Sequence, residues 1–187
     1  MMNKSNNQSN SRTHVAPKLE ASLIRTFLQE SEGNWSSERR YYALPNGKVK
    51  EIKKTVAMRF LEGGSPELAE LAKLHELDEN AVMSCGSYVE WNSVDTTTGE
   101  EGSKRWTVLG SLGTTMYFGR NFPIPKLVVA EYYFRDPKTI YLWTHENGAL
   151  FEEELKMVGR NYRTRQTVIS RGGVQQMIAQ YMEKLIA

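Results

Sequence analysis

The sequence predicts a mainly β protein, one antiparallel meander closed into a barrel and flanked by helices. Three observations predict it. From Ala81 onward, strand-like segments follow closely: AVMSCGSYVEWNSV, SKRWTVLGSL, TTMYFGR, KLVVAEYYF, KTIYLWT, GALFEEELKMV and NYRTRQTVIS, rich in β-branched and aromatic residues. Turn chemistry divides them at Gly99 to Gly102, Asn121 to Pro125, Asp136-Pro137, Asn147-Gly148 and Gly159. No long helix alternates with the strands. About nine twisted strands in all are best stabilised by closing on themselves, because closure removes the exposed edges.

Taken in order, residues 1–18, MMNKSNNQSNSRTHVAPK, hold little that can be buried and are expected to form a disordered tail, leaving 19–187 as a single domain. Between Leu19 and Glu30, Leu23, Ile24, Phe27 and Leu28 fall at helical spacing, with Gly33 placed to end a short amphipathic helix. WSSERRYYAL and KVKEIKKTVAMRF flank Pro45-Asn46-Gly47, and Asn-Gly between two such runs signals a hairpin. Ser65-Pro66 opens PELAELAKLHEL; a capping serine, a proline at the first helical position and leucines near one face predict a second helix of about three turns. In the final VQQMIAQYMEKLIA, Val174, Met177, Ile178, Tyr181, Met182 and Leu185 recur at three and four. That segment reads as a third amphipathic helix packed on the barrel.

A chain of 187 residues suffices for one full-sized domain and is too short for two comfortable ones. Its 24 basic and 22 acidic side chains leave a net charge of +2, which gives no reason to expect nucleic-acid binding. The densest cationic run, Lys48 to Lys54, alternates with Val49 and Ile52 and contains a glutamate, as a solvated strand face does. The single Cys85 excludes an internal disulfide and any multi-cysteine metal site, and reads as a small buried thiol. His14, His75 and His145 lack ligand spacing, so no metal is expected. No apolar run of about 18 residues and no secretory h-region is present, so a soluble intracellular protein without a membrane span is expected.

The stretch from Asn161 to Gly173, NYRTRQTVISRGG, is the most informative. Side chains two apart on a strand share a face, so Arg163, Arg165 and Thr167 form one row with Ile169. An ordinary half-buried strand would show one apolar row, and neither row here is convincingly apolar. Either the strand is an exposed edge, where charge discourages association, or two adjacent guanidiniums await paired anions.

Four segments in conserved order resemble one family. FLQESEGNWSSERRYY, with Phe27, Ser31, Gly33, Trp35, Ser37 and Arg39, resembles the F-x-x-S-x-G-x-W-x-S-x-R entry of the CpcS/CpeS group of phycobiliprotein lyases. GGSPELAELAKLHELDENAVMSCGSYVEW resembles its helix, loop and strand ending in M-E-W, FEEEL its E-E-R-[LI]-W segment, and NYRTRQTVISRGG its N-L-R-x-R-[ST]-[ST] strand with the following R-x-GG turn. The similarity spreads from about Phe27 to Gly173. It implies a calycin or lipocalin-like antiparallel β-barrel of about ten strands with two or three helices.

The resemblance also implies an activity: covalent attachment of a linear tetrapyrrole, phycocyanobilin or phycoerythrobilin, through a thioether to a cysteine of a phycobiliprotein subunit. Bilin would be substrate, not a permanently bound cofactor. Arg163 and Arg165 would clamp its two propionates, Glu153 would be the functional glutamate with Glu154 one register away, and Trp91, Val89 and Thr167 would contact the bilin. Implied partners are a phycocyanin, phycoerythrin or allophycocyanin apo-subunit of the phycobilisome, and a second lyase copy or homologue in a homodimer or heterodimer, in a cyanobacterium-like cytoplasm or a plastid stroma. The chain departs from the family pattern at Val89, Gln166 and Lys156-Met157, the last removing an aromatic wall. A non-catalytic carrier of an amphiphilic carboxylate and a partner subunit of another lyase are the alternatives.

Overall fold

The computed structural model describes residues 17–94, 104–121 and 126–186, and within them ten strands form one closed antiparallel barrel. Helix α1 (Pro17–Glu30) leads into β1 (Gly33–Ala43) and β2 (Lys48–Glu62), and helix α2 (Pro66–Leu74) follows. The meander continues through β3 (Cys85–Val94), β4 (Arg105–Leu112), β5 (Thr115–Asn121), β6 (Lys126–Asp136) and β7 (Thr139–Glu146). It ends with β8 (Ala149–Val158), β9 (Tyr162–Arg171) and β10 (Val174–Ile186). Each strand pairs with its neighbours in sequence, and β1 pairs with both β2 and β10, which closes the ring. Of the expected tail, residues 1–16 lie outside the described residues, as do the turn signals at 99–102 and 122–125, whereas Pro17 and Lys18 begin α1.

The C-terminal segment is a strand, not the third helix that its spacing suggests. Gly172 and Gly173 have φ of 56° and 77°, the two positive angles of a type I′ hairpin, and they turn the chain from Arg171 directly into Val174. β10 then fills the gap between β9 and β1, pairing along its length with both. A helix here would have left two long strand edges unpaired, and tertiary pairing overrides the helical spacing. The barrel therefore has ten strands where local signals indicate nine, and two helices among the described residues.

Helix α1 closes over the interior. Ile24, Phe27 and Leu28 are buried in one cluster with Trp35, Phe134, Leu142 and Met157. Helix α2 packs outside, Leu68 and Leu71 joining Leu61, Met83 and Val108. Gly110 permits that contact, since a Cβ there would lie 2.2 Å from Met83 Sδ and 2.9 Å from Leu68 Cδ2. Ser65 occupies the N-cap position of α2 with extended backbone, but its hydroxyl makes no capping bond. No helix among the described residues is long and apolar enough to cross a membrane.

Candidate functional site

β9 is not an edge: β8 and β10 bond it on either side. Arg163 and Thr167 are buried, and the row carrying them faces the interior. Register then sets two rows across β2, β1, β10 and β9. Lys54, Ser37, Glu183 and Arg163 make the first, and Ile52, Arg39, Tyr181 and Arg165 the second.

Each arginine of β9 has its own carboxylate. Arg163 Nε donates to Glu183 Oε2 at 2.6 Å, with both side chains 5% exposed. The Arg163 guanidinium also lies 4.7 Å from the centroid of the Trp35 ring and 3.0 Å from Met58 Sδ. Ser37 Oγ donates to Glu183 Oε1 at 2.9 Å. Burial pushes the Glu183 carboxyl up, but the charges of Arg163 and Arg39 and these hydrogen bonds hold it below its ordinary value. In the second row, Arg165 bonds and ion-pairs Glu153, while Arg165 and Arg39 flank the Tyr181 ring at 5.3 and 4.8 Å. The Arg165 side chain is 34% exposed, and its Nε is buried without a partner.

Thr167 Oγ1 donates to Oε1 of Glu153, the residue directly opposite it on β8, at 3.0 Å. Burial raises the Glu153 carboxyl, and the charge and hydrogen bond of Arg165, with the Thr167 bond, outweigh it and hold the pKa low. Glu153 is thus an ionised carboxylate on the wall of a cavity of about 260 Å³. Apolar and aromatic side chains supply most of the lining, among them Val89, Trp91, Leu109, Phe118 and Leu142. Strand alternation sends Glu154 the other way, where its carboxylate accepts a bond from Tyr141. The departures divide likewise. Val89 and Met157 face inward, Met157 being buried in the cluster under α1, whereas Lys156 and Gln166 are exposed.

Three residues of this wall escaped sequence reasoning, Glu183, Tyr181 and Lys54, and Arg39 was read only as part of the family motif. Glu183 and Tyr181 lie in the segment read as a helix, where a glutamate looks solvated. Gly172-Gly173 before it was the signal that could have corrected this. Cys85, by contrast, is buried as expected, and burial raises its thiol pKa.

The family described as CpeS-like protein matches residues 23–186. A protein of Nostoc sp. named for the phycocyanobilin lyases, as CpcS 2, is 48% identical over 168 residues, 90% of this chain and 93% of its own length. Another, of Picosynechococcus sp. and named for the chromophore lyases as CpcV, is 39% identical over 163 residues, 87% of this chain and 81% of its own. The solved S-type phycobiliprotein lyase CPES from Guillardia theta shares the fold, with a TM-score of 0.70 over 93% of this chain and 99% of that one, at 18% identity. Since the family match runs from α1 to the end of β10, and the Nostoc relative is 48% identical over nine-tenths of this chain, the chain belongs to the CpeS-like protein family.

Proposed function

We propose that this chain is a bilin chromophore lyase, which takes a linear tetrapyrrole into the barrel and presents it to a cysteine thiol of a phycobiliprotein subunit. The observation that carries the reading is Glu153, kept ionised by Arg165 and Thr167 on the wall of a largely apolar cavity. A carboxylate so placed accepts hydrogen bonds from pyrrole N–H groups and orients the ring system, while Trp91 and Phe118 offer faces for stacking. The thiol adds across the ethylidene double bond of ring A: a C–S bond forms, the electron pair enters the conjugated system, and a proton returns to it. No oxidant and no leaving group are needed. Position and orientation supply most of the acceleration.

Arg165, part-exposed with an unpartnered Nε, faces the ligand, and Arg163, buried against Glu183, positions the wall. Inward placement favours Glu153 over Glu154 as the functional glutamate. A cavity of about 260 Å³ falls below the usual 300–1,000 Å³ of ligand sites. Part of the tetrapyrrole therefore projects from the barrel, where an acceptor reaches it.

The test mixes the purified protein with phycocyanobilin and with phycoerythrobilin, follows visible spectra, and then adds apo-subunits. Colour that survives denaturing electrophoresis on a subunit is the expected result. Binding without transfer would make the barrel a carrier, and no binding would make it a partner-dependent subunit.

A further inference from the structure

Across β2, β1, β10 and β9, the inner wall holds more positive charge than its ion pairs neutralise. Arg39, Lys54, Arg163 and Arg165 occupy two adjacent rows, and the carboxylates that bond them are Glu183 in the first row and Glu153 on β8. Glu183 is taken by Arg163, with Ser37 as a second donor and Arg39 farther off at 3.9 Å. Glu153 is taken by Arg165. Arg39 also gives its Nε to the Ser37 hydroxyl at 2.9 Å. Lys54 has no ion-pair partner among the described residues.

Lys54 is not an ordinary surface lysine. Its chain neighbours Lys53 and Thr55 are exposed, while Lys54 is half-buried on the face of β2 that carries Val56, directly opposite the fully buried Ser37. Val56 lines the interior cavity, so the ammonium stands one strand step along the same face. The charged groups around it are Arg39 on β1, Lys50 on β2 itself and Arg105 on β4, and the carboxylate in its row, Glu183 on β10, is already held by Arg163 and Ser37. Burial first, then these three cations, push its pKa down to about 8. A half-buried ammonium among cations is destabilising unless an anion joins it.

We infer that Lys54, assisted by Arg39, is a carboxylate-recognition site of the barrel and takes a propionate of the bound tetrapyrrole, since Arg163 and Arg165 already carry the carboxylates of Glu183 and Glu153. The inference rests on the bilin reading above. Arg39, Lys54, Arg163 and Arg165 share two bonded carboxylates, Glu183 and Glu153, and a bilin brings two propionates. Anion binding raises the lysine pKa, so the complex takes up a proton above about pH 8, and affinity falls as pH rises through that value.

The test titrates the full chain, by visible absorbance, with phycocyanobilin and with its dimethyl ester, which keeps the rings and removes both charges. Wild type, Lys54→Met and Lys54→Arg are compared at pH 7 and pH 9.5. Lys54→Met is expected to lose about tenfold in affinity for the free acid and little for the ester. Lys54→Arg, charged at both pH values, is expected to hold the free acid at pH 9.5, where wild type weakens. Lys54→Met should also raise the melting temperature at pH 7, since it removes an uncompensated charge, and this separates lost recognition from lost folding. Equal losses for acid and ester, or none for either, would overturn the lysine's role while leaving bilin binding intact. Failure of wild type to bind either compound would overturn the bilin reading and the inference together.

Discussion

The two halves of the barrel wall are built differently. From β8 through β9, β10 and β1 to β2, the inward side chains include Glu153, Arg165, Arg163, Glu183, Tyr181, Arg39 and Ser37, joined by hydrogen bonds, ion pairs and guanidinium–ring contacts, with Lys54 at the end of the network. From β3 to β7 they include Val89, Trp91, Leu109, Met116, Phe118, Ile140 and Leu142, with Thr107 satisfied by the Gly119 carbonyl at 3.0 Å and, among the described residues, a single charged lining residue, Arg120, ion-paired to Glu146 at 3.3 Å. Hydrogen bonds have direction and dispersion contacts do not. The charged half therefore fixes how a flat, polar-edged ligand is oriented, and the apolar half supplies area that tolerates different substituents. Preorganisation belongs to one wall and adaptability to the other.

The largest expected effect breaks the charged half at its most buried point. Arg163→Met leaves Glu183 in the interior without its main counter-charge, and removing one partner of a buried pair costs about 3–5 kcal/mol. Urea unfolding at pH 7 should show that loss, and Arg163→Met with Glu183→Met should recover most of it. A single variant within about 0.5 kcal/mol of wild type would mean that the pair does not hold this wall. Acid has the same target. Glu183 and Glu153 both have folded pKa values below their ordinary ones, so each contributes stability above its unfolded pKa that disappears as pH falls through the folded value. Glu183→Gln should flatten the fall in stability below about pH 4.5, as read from melting temperatures across an acid series.

Next in size is the chemistry. Glu153→Gln keeps the shape but removes the charge that pyrrole N–H groups would meet, and transfer to an apo-subunit should slow by about a hundredfold, within the range for a lost acid–base or charge partner. Single-turnover absorbance changes measure it. Slowing by less than about threefold would remove Glu153 from the mechanism. A smaller change is expected on the apolar side. Trp91→Leu keeps a hydrophobic surface and removes a ring face worth about 0.5–1.5 kcal/mol, so bilin affinity should fall by about tenfold or less while the visible band shifts.

The same division decided what could be read from the chain. Alternation alone placed Arg163, Arg165 and Thr167 in one row, without saying which way it faced, and Asn46-Gly47 and Asn147-Gly148 marked true turns, with φ of 65° at Gly47 and of 52° and 72° at Asn147 and Gly148. Those are local signals. The partners of the arginines are not local: Glu183 and Arg163 are 20 residues apart, and Ser37 and Glu183 are 146 apart. They meet only once β10 is a strand in a defined register. Reading VQQMIAQYMEKLIA by helical spacing hid Glu183 and Tyr181, and reading Lys48 to Lys54 as one solvated face hid Lys54. In each case burial depends on which of two alternating rows faces inward, and a shift of one residue exchanges the rows. The family match supplied the activity; composition alone gave no reason to expect nucleic-acid binding and held no apolar run long enough for a membrane-spanning helix.

The smallest effect sharpens the comparison, because it sets one face of a strand against the other. Glu154 differs from Glu153 by a single position and points outward, where Tyr141 donates to it and continues a stack with Tyr133 and Trp143 at centroid spacings of 5.0 and 4.9 Å. Glu154→Gln should change stability by less than about 0.5 kcal/mol, as surface replacements do, and should leave bilin affinity and spectrum unchanged. If inward placement is what makes a glutamate functional here, adjacent residues of identical chemistry must differ by about two orders of magnitude in transfer rate. Equally slowed rates in the two variants would mean that the outer face takes part in the reaction. Unchanged bilin affinity with slowed transfer in Glu154→Gln would assign that face to docking the acceptor subunit, since a defect confined to transfer arises after the bilin is already bound.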